Sequence, residues 1–211
     1  MPRSYHEFVD FVKKEVKDAG GIVRIVDTDY VKADELRVNG YFEDGTTTEN
    51  PMEIAVAANK PRHIWLATLC HEFAHFQQHQ AQCAAWTNAC LPDGTDVGTI
   101  MDEWLLGKNF RKDYLHKCVG IYRHLELDCE RRSAKNILKF GIPLNYNKYC
   151  KRANTYIHFY NYLLQTRKWY IIGKEPWRSK KLVDAMPESL YGRYDKTPQK
   201  IFDLYDDFCW S

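Results

Sequence analysis

Residues 62–81 read RHIWLATLCHEFAHFQQHQA and contain neither glycine nor proline. That uninterrupted length predicts a helix, and Pro61 immediately ahead suits a first helical turn. Up to Phe76 the segment is apolar on most sides, the pattern of a helix enclosed by its neighbours. Set into it is His71-Glu72-Phe73-Ala74-His75. Side chains four apart share one face of a helix, so the two imidazoles can grip a single ion while Glu72 reaches a water on it. Burying two imidazoles and a carboxylate in an apolar helix is costly without such an ion.

Two histidines and an adjacent glutamate are the residues that metal-assisted hydrolysis needs. Zinc brings the pKa of a water towards about 7, and a neighbouring carboxylate can take its proton as it attacks a polarised carbonyl. A catalytic zinc also needs a third protein ligand and an open position. The metzincin continuation, H-E-x-x-H-x-x-G-x-x-H, is excluded, because its glycine and third histidine positions are Gln78 and Ala81 here. His79 would lie about 12 Å along the helix axis from His71, too far to share an ion.

A second long helix is predicted over 112–139, with Leu115, Val119, Tyr122, Cys129, Ser133 and Ile137 on one stripe, ending at Gly141 and Pro143. Glu126 falls on that apolar stripe, where solvation gives a carboxylate no reason to be, and is the candidate third ligand. Glu130, one turn on, can hydrogen-bond a ligating histidine and fix its tautomer. Asp128 falls about 200° around the helix from Glu126. The competing reading of these acids is a solvated run leading into Arg131-Arg132.

His71-Glu72-x-x-His75 with a downstream Glu126-x-x-x-Glu130 resembles the gluzincin pattern, H-E-x-x-H followed by E-x-x-x-D, over roughly residues 50–140. The chain is also similar to the ImmA/IrrE-like minimal metallopeptidases and to predicted bacteriophage peptidases. The resemblance maps the acidic ligand to Glu126 and the outer-shell aspartate to Glu130, a departure of one methylene. It implies an α+β, zincin-like fold: a small three-stranded sheet packed on the active-site helix, followed by a mostly helical C-terminal half. It also implies a Zn2+ cofactor, hydrolysis of a protein or peptide substrate, and a cleft edge formed by the strand Met52–Ala57, pairing with extended substrate backbone. Zincins often place a Tyr, His or Arg against the developing oxyanion. The candidates are Tyr156, His158, Tyr160, Arg152 and His124; the sequence does not choose among them, and Tyr156 is carried forward.

The rest of the chain frames this reading. Its 211 residues, 45% hydrophobic, suffice for one substantial core, so a single domain is expected. With 30 Lys plus Arg against 28 Asp plus Glu, the net charge of +2 gives no general reason to expect a nucleic-acid or membrane partner. No apolar run resembles a signal sequence or a membrane span. The seven scattered cysteines fit reduced thiols in a cytoplasmic protein. A first helix is expected over 5–19, stopped by Gly20-Gly21. Strands are expected over 22–31, 36–42 and 52–57, with turns at Asp44-Gly45 and Asn50-Pro51. An irregular excursion follows over 82–98, then helices over 145–165 and 201–208. Arg167-Lys168-Trp169-Tyr170 and Trp177-Arg178-Ser179-Lys180-Lys181 interleave basic and aromatic residues, which raises a nucleic-acid-associated protease as an alternative. A further alternative is a zincin fold used as a silent binding or sensing module.

Overall fold

The computed structural model of the chain describes residues 5–33, 35–45, 51–171 and 173–209. Elements follow in the order α1 (Tyr5–Asp18), β1 (Ile22–Val26), β2 (Val31–Ala33), β3 (Leu36–Val38), β4 (Gly40–Glu43), β5 (Glu53–Ala57), α2 (Arg62–Ala81), α3 (Ala84–Thr87), α4 (Val97–Leu105), α5 (Lys112–Phe140), α6 (Tyr146–Thr166), α7 (Lys180–Ala185) and α8 (Gln199–Cys209). A 3-10 turn spans Pro176–Arg178. The protein is therefore mixed α+β and mostly helical, with a small three-stranded sheet. Among the described residues no helix is long and apolar enough to cross a membrane. All seven cysteines are free thiols.

The chain divides into two compact units: residues 1–83 with 129–145, and residues 84–128 with 146–211. Helix α5 belongs to both, its first part to the second unit and its last turns to the first.

In the first unit β5 lies at the centre of the sheet, parallel to β1 and antiparallel to β4. This corrects the expectation that the strand over 52–57 forms a cleft edge: both its sides are paired, and β4 carries the edge. The predicted strand over 22–31 is two strands separated by 27–30, where Thr28 Oγ1 donates to the Tyr30 carbonyl at 2.8 Å. The stretch 36–42 also divides, β3 pairing with β2 in a separate ribbon and β4 joining the main sheet. Asn50, half of one expected turn, lies outside the described residues.

Alternation along β5 decides what covers each face. Ala55 and Ala57 pack with Val31 of β2 and its neighbours Val26, Val38 and Tyr41. The opposite register positions, Ile54 and Val56, are fully buried, and helix α2 packs across β4 and β5. The approach is close: a Cβ on Gly40 would lie 2.6 Å from Thr68 Cγ2 and 2.8 Å from the Ala55 carbonyl, so only glycine fits there. An aromatic group completes this core, with Phe8 centred 6.0 Å from Phe73 and 5.3 Å from Phe140.

The second unit is built around α6, whose Ile157, Phe159, Tyr160, Tyr162 and Leu163 are all fully buried. Met101 and Trp104 of α4, Leu115 and Val119 of α5, Leu182 of α7 and Tyr205 of α8 share its main cluster. The segment 187–197 is laced to α6. Asn154 Nδ2 donates to the carbonyls of Pro187 and Ser189 at 2.9 Å each, and Tyr194 donates to Asn154 Oδ1 at 2.6 Å. Helix α4 starts at the end of the stretch read as irregular and continues through 99–105, to which the sequence reading assigned no element; Asp96 caps it through the N–H groups of Gly98 and Thr99.

Candidate metal centre

Helix α2 runs over the predicted span, with Pro61 at its N-cap position and Gln82 in the left-handed conformation (φ 43°) at its C-cap. It presents His71 and His75 one turn apart, their ring centroids 4.8 Å apart and planes at 85°. Their Nε2 atoms face each other at 3.2 Å. The outer nitrogens are engaged elsewhere: His71 Nδ1 lies 3.2 Å from Glu130 Oε1, and His75 Nδ1 lies 2.9 Å from Gln78 Oε1. Both oxygens are acceptors, so each Nδ1–H donates outward, and the two Nε2 atoms are left facing each other around a shared proton or an ion. Two lone pairs at that separation repel unless a positive charge lies with them.

The electrostatics agree. Burial works to depress the His71 pKa, yet the Cys129 sulfur and the Glu130 carboxylate outweigh it and hold the group well above its ordinary value. The pocket therefore favours positive charge on His71 itself. Two ligands of one tetrahedral zinc, each at about 2.0–2.1 Å, lie about 3.4 Å apart. The 3.2 Å between the facing nitrogens is close to that separation and is equally that of an N–H···N hydrogen bond.

The last turns of α5 set the height of Glu130 against α2 through a row of polar ties. Ser133 Oγ donates to the Cys70 carbonyl at 3.0 Å, Cys129 Sγ to the His71 carbonyl at 3.3 Å, and Asn136 Nδ2 to Gln77 Oε1 at 2.9 Å. The spacing of 129, 133 and 136 keeps all three donors on one helical face. The longer glutamate reaches His71 from position 130 without difficulty.

Glu72 is 8% exposed. Burial pushes its carboxyl pKa up to about 6, against the attraction of His71; Glu130 adds to the rise, and a hydrogen bond from the Phe42 backbone N–H opposes it. That N–H lies on the outer edge of the sheet, where β4 is the last of the described strands. Ala57 N donates to the Asn39 carbonyl, so hydrogen-bonded pairs along β4 fall at 39 and 41, and the N–H of Phe42 points away from β5.

The structure thus brings together His71, Glu72, His75 and Glu130 in the first unit. Glu126 and Tyr156, the other two residues singled out by sequence, lie together in the second. Glu126 is 4% exposed. Tyr156 is pushed well above the ordinary tyrosine range first by burial and then by the charge of Glu126. Tyr160 donates a 2.6 Å hydrogen bond to the Tyr156 hydroxyl.

Two contributors escaped the sequence reading. Cys129 Sγ is 3.5 Å from His71 Nδ1, and His71, His75 and Cys129 offer donor atoms within 4.8 Å of one another. Gln78 is completely buried, three residues beyond His75. Periodicity placed Cys129 on the apolar stripe, and no sequence signal separates a thiol that packs from one that faces a ligand.

The basic and aromatic stretches beyond α6 are largely used internally. Trp169 and Tyr170 pack on Phe159, Trp177 packs on Tyr156, and Arg167 Nε donates to the Trp104 carbonyl at 2.8 Å. Arg178 pairs with Glu175 and Lys180 with Asp184.

Comparison of the chain with protein-family models, with curated proteins and with solved structures found no match.

Proposed function

We propose that this chain is a zinc-dependent peptidase of gluzincin type, acting on protein or peptide substrates. The observation that carries the reading is the pair of inward-facing Nε2 atoms, 3.2 Å apart, with both outer nitrogens held by acceptors and the Glu72 carboxylate on the same helix. His71 and His75 would hold the ion, with Glu126 as third ligand. It shares a face of the unbroken helix α5 with Glu130, four residues on. Zinc bound there supplies Lewis acidity and brings a water's pKa towards about 7.

The remaining chemistry belongs to the chain. Glu72 accepts the proton of the attacking water and returns it to the departing amine, the two proton transfers that a carboxylate beside the reacting atoms can serve. Glu130 keeps His71 in the tautomer that leaves Nε2 free. The outer edge of β4, beside Glu72, offers backbone groups for an extended substrate strand, the role first expected of β5. Tyr156 is the candidate donor to the developing oxyanion.

A second assignment of the third ligand is favoured by the proximity of the thiol: Cys129 in place of Glu126. Zinc content of Glu126→Ala and Cys129→Ser separates the two, the true ligand being the one whose loss releases the metal. The test of the function itself is Glu72→Gln, which should keep zinc and lose peptide hydrolysis. Undiminished hydrolysis in that variant sinks the mechanism, and zinc binding without turnover of any peptide by the wild type leaves a metal-holding binding module.

A further inference from the structure

We infer that Gln78 is a positioning residue of the metal centre, fixing His75 in the tautomer that presents Nε2 to the ion. The inference rests on the reading of His71 and His75 as a metal pair. A glutamine with no exposed surface must satisfy its amide internally. Its oxygen does so on His75 Nδ1, at 2.9 Å. Three residues apart on α2, the two side chains meet on one face of the helix.

The two histidines are therefore held by different means. His71 is oriented by a carboxylate from α5, so its placement depends on how the end of α5 docks. His75 is oriented from within α2, so its half of the site is set as soon as that helix forms. The choice of amide over acid has an electrostatic reason. Glu72 and Glu130 already place two carboxylates beside the pair, and a neutral oxygen orients the second ring without adding a third charge. With the amide reversed, its NH2 would face Nδ1, moving the ring proton onto Nε2 and closing the lone pair that a metal needs.

The test uses the full chain, metal-free and labelled with 15N at histidine. Long-range proton–nitrogen correlation spectra at slightly alkaline pH report which nitrogen of His75 carries hydrogen. The wild type is expected to show His75 protonated at Nδ1, Gln78→Met to show it shifted to Nε2, and Gln78→Glu to retain the wild-type pattern. Zinc affinity, read by competition with a chromophoric chelator, should fall about 10- to 100-fold in Gln78→Met and be kept in Gln78→Glu. A wild-type His75 protonated at Nε2 overturns the inference even if Gln78→Met does not fold, as does a Gln78→Met protein with unchanged tautomer and affinity. Absence of zinc binding by the wild type, with the tautomer pattern as expected, would instead remove the peptidase reading and leave Gln78 as the group that orients His75.

Discussion

The backbone N–H of Phe42, on the edge strand β4, hydrogen-bonds the carboxylate of Glu72 on α2. One bond thus joins the outer edge of the sheet to the proposed base, and it partly offsets the burial that raises the carboxyl to about 6. The residual rise has a consequence for stability. Between its ordinary value of 4.5 and about 6, the folded chain holds a proton that the unfolded chain has released, so Glu72 lowers stability as pH rises through that window. Metal-free Glu72→Gln should accordingly be more stable than the wild type by roughly 2 kcal/mol at neutral pH, the difference fading below about pH 4.5. Urea denaturation at the two pH values checks it, and equal stabilities at neutral pH would contradict it.

The same carboxyl governs activity. The base must be ionised, and a cation beside it lowers its pKa from the metal-free value of about 6, so hydrolysis by the wild type should fall about tenfold per pH unit along an acid limb lying below pH 6. The measurement is kcat/KM against pH with a fluorogenic peptide; a profile flat to pH 4 would remove Glu72 as the base.

Gly40 controls the distance between β4 and α2. Gly40→Ala would force Thr68 Cγ2 and the Ala55 carbonyl apart from the new methyl, destabilising the chain by about 1–3 kcal/mol and moving the Phe42 N–H away from Glu72. Thr68→Ala removes the nearer obstacle, so the double variant should recover part of the loss in thermal denaturation. Additive losses would show that the contact with Thr68 does not limit the fit.

His158 predicts an acid sensitivity in the second unit. Burial, with Arg123 adding to it, depresses its pKa from 6.5 to about 4, while its Nδ1 lies 3.1 Å from Thr197 Oγ1. As pH falls from 6.5 towards 4, the unfolded chain takes up a proton that the folded chain refuses, so stability is lost on acidification. The loss is roughly 3 kcal/mol over that window, and His158→Gln should flatten it. Denaturation curves for both proteins at the ends of the window decide the matter.

What the sequence conveys follows from the physics of each element. Helices α2 and α5 are long, free of breakers and periodic, and their predicted limits agree with the structure within a residue. Helix α4 was missed because Asp93-Gly94 ahead of it and Gly98 inside it are breaker signals, whereas the decisive Asp96 cap is a geometric fact. The sheet order carries no local signal: β1 pairs with β5 across three intervening strands, and the run of β-branched residues at 22–31 conceals a break. At the site, His71, Glu72 and His75 were readable from spacing, and Glu130 from a carboxylate on a buried face. Gln78 was not, since a polar residue near the end of a helix is ordinarily solvated. The Phe42 N–H is backbone and has no side-chain signature at all.

The central claim is that His71 and His75 hold an ion, and elemental analysis of purified wild type beside His75→Ala, after loosely bound metal is stripped, tests it most directly. The account predicts about one zinc per wild-type chain and none in the variant. A wild type that carries no zinc and takes up none would contradict it.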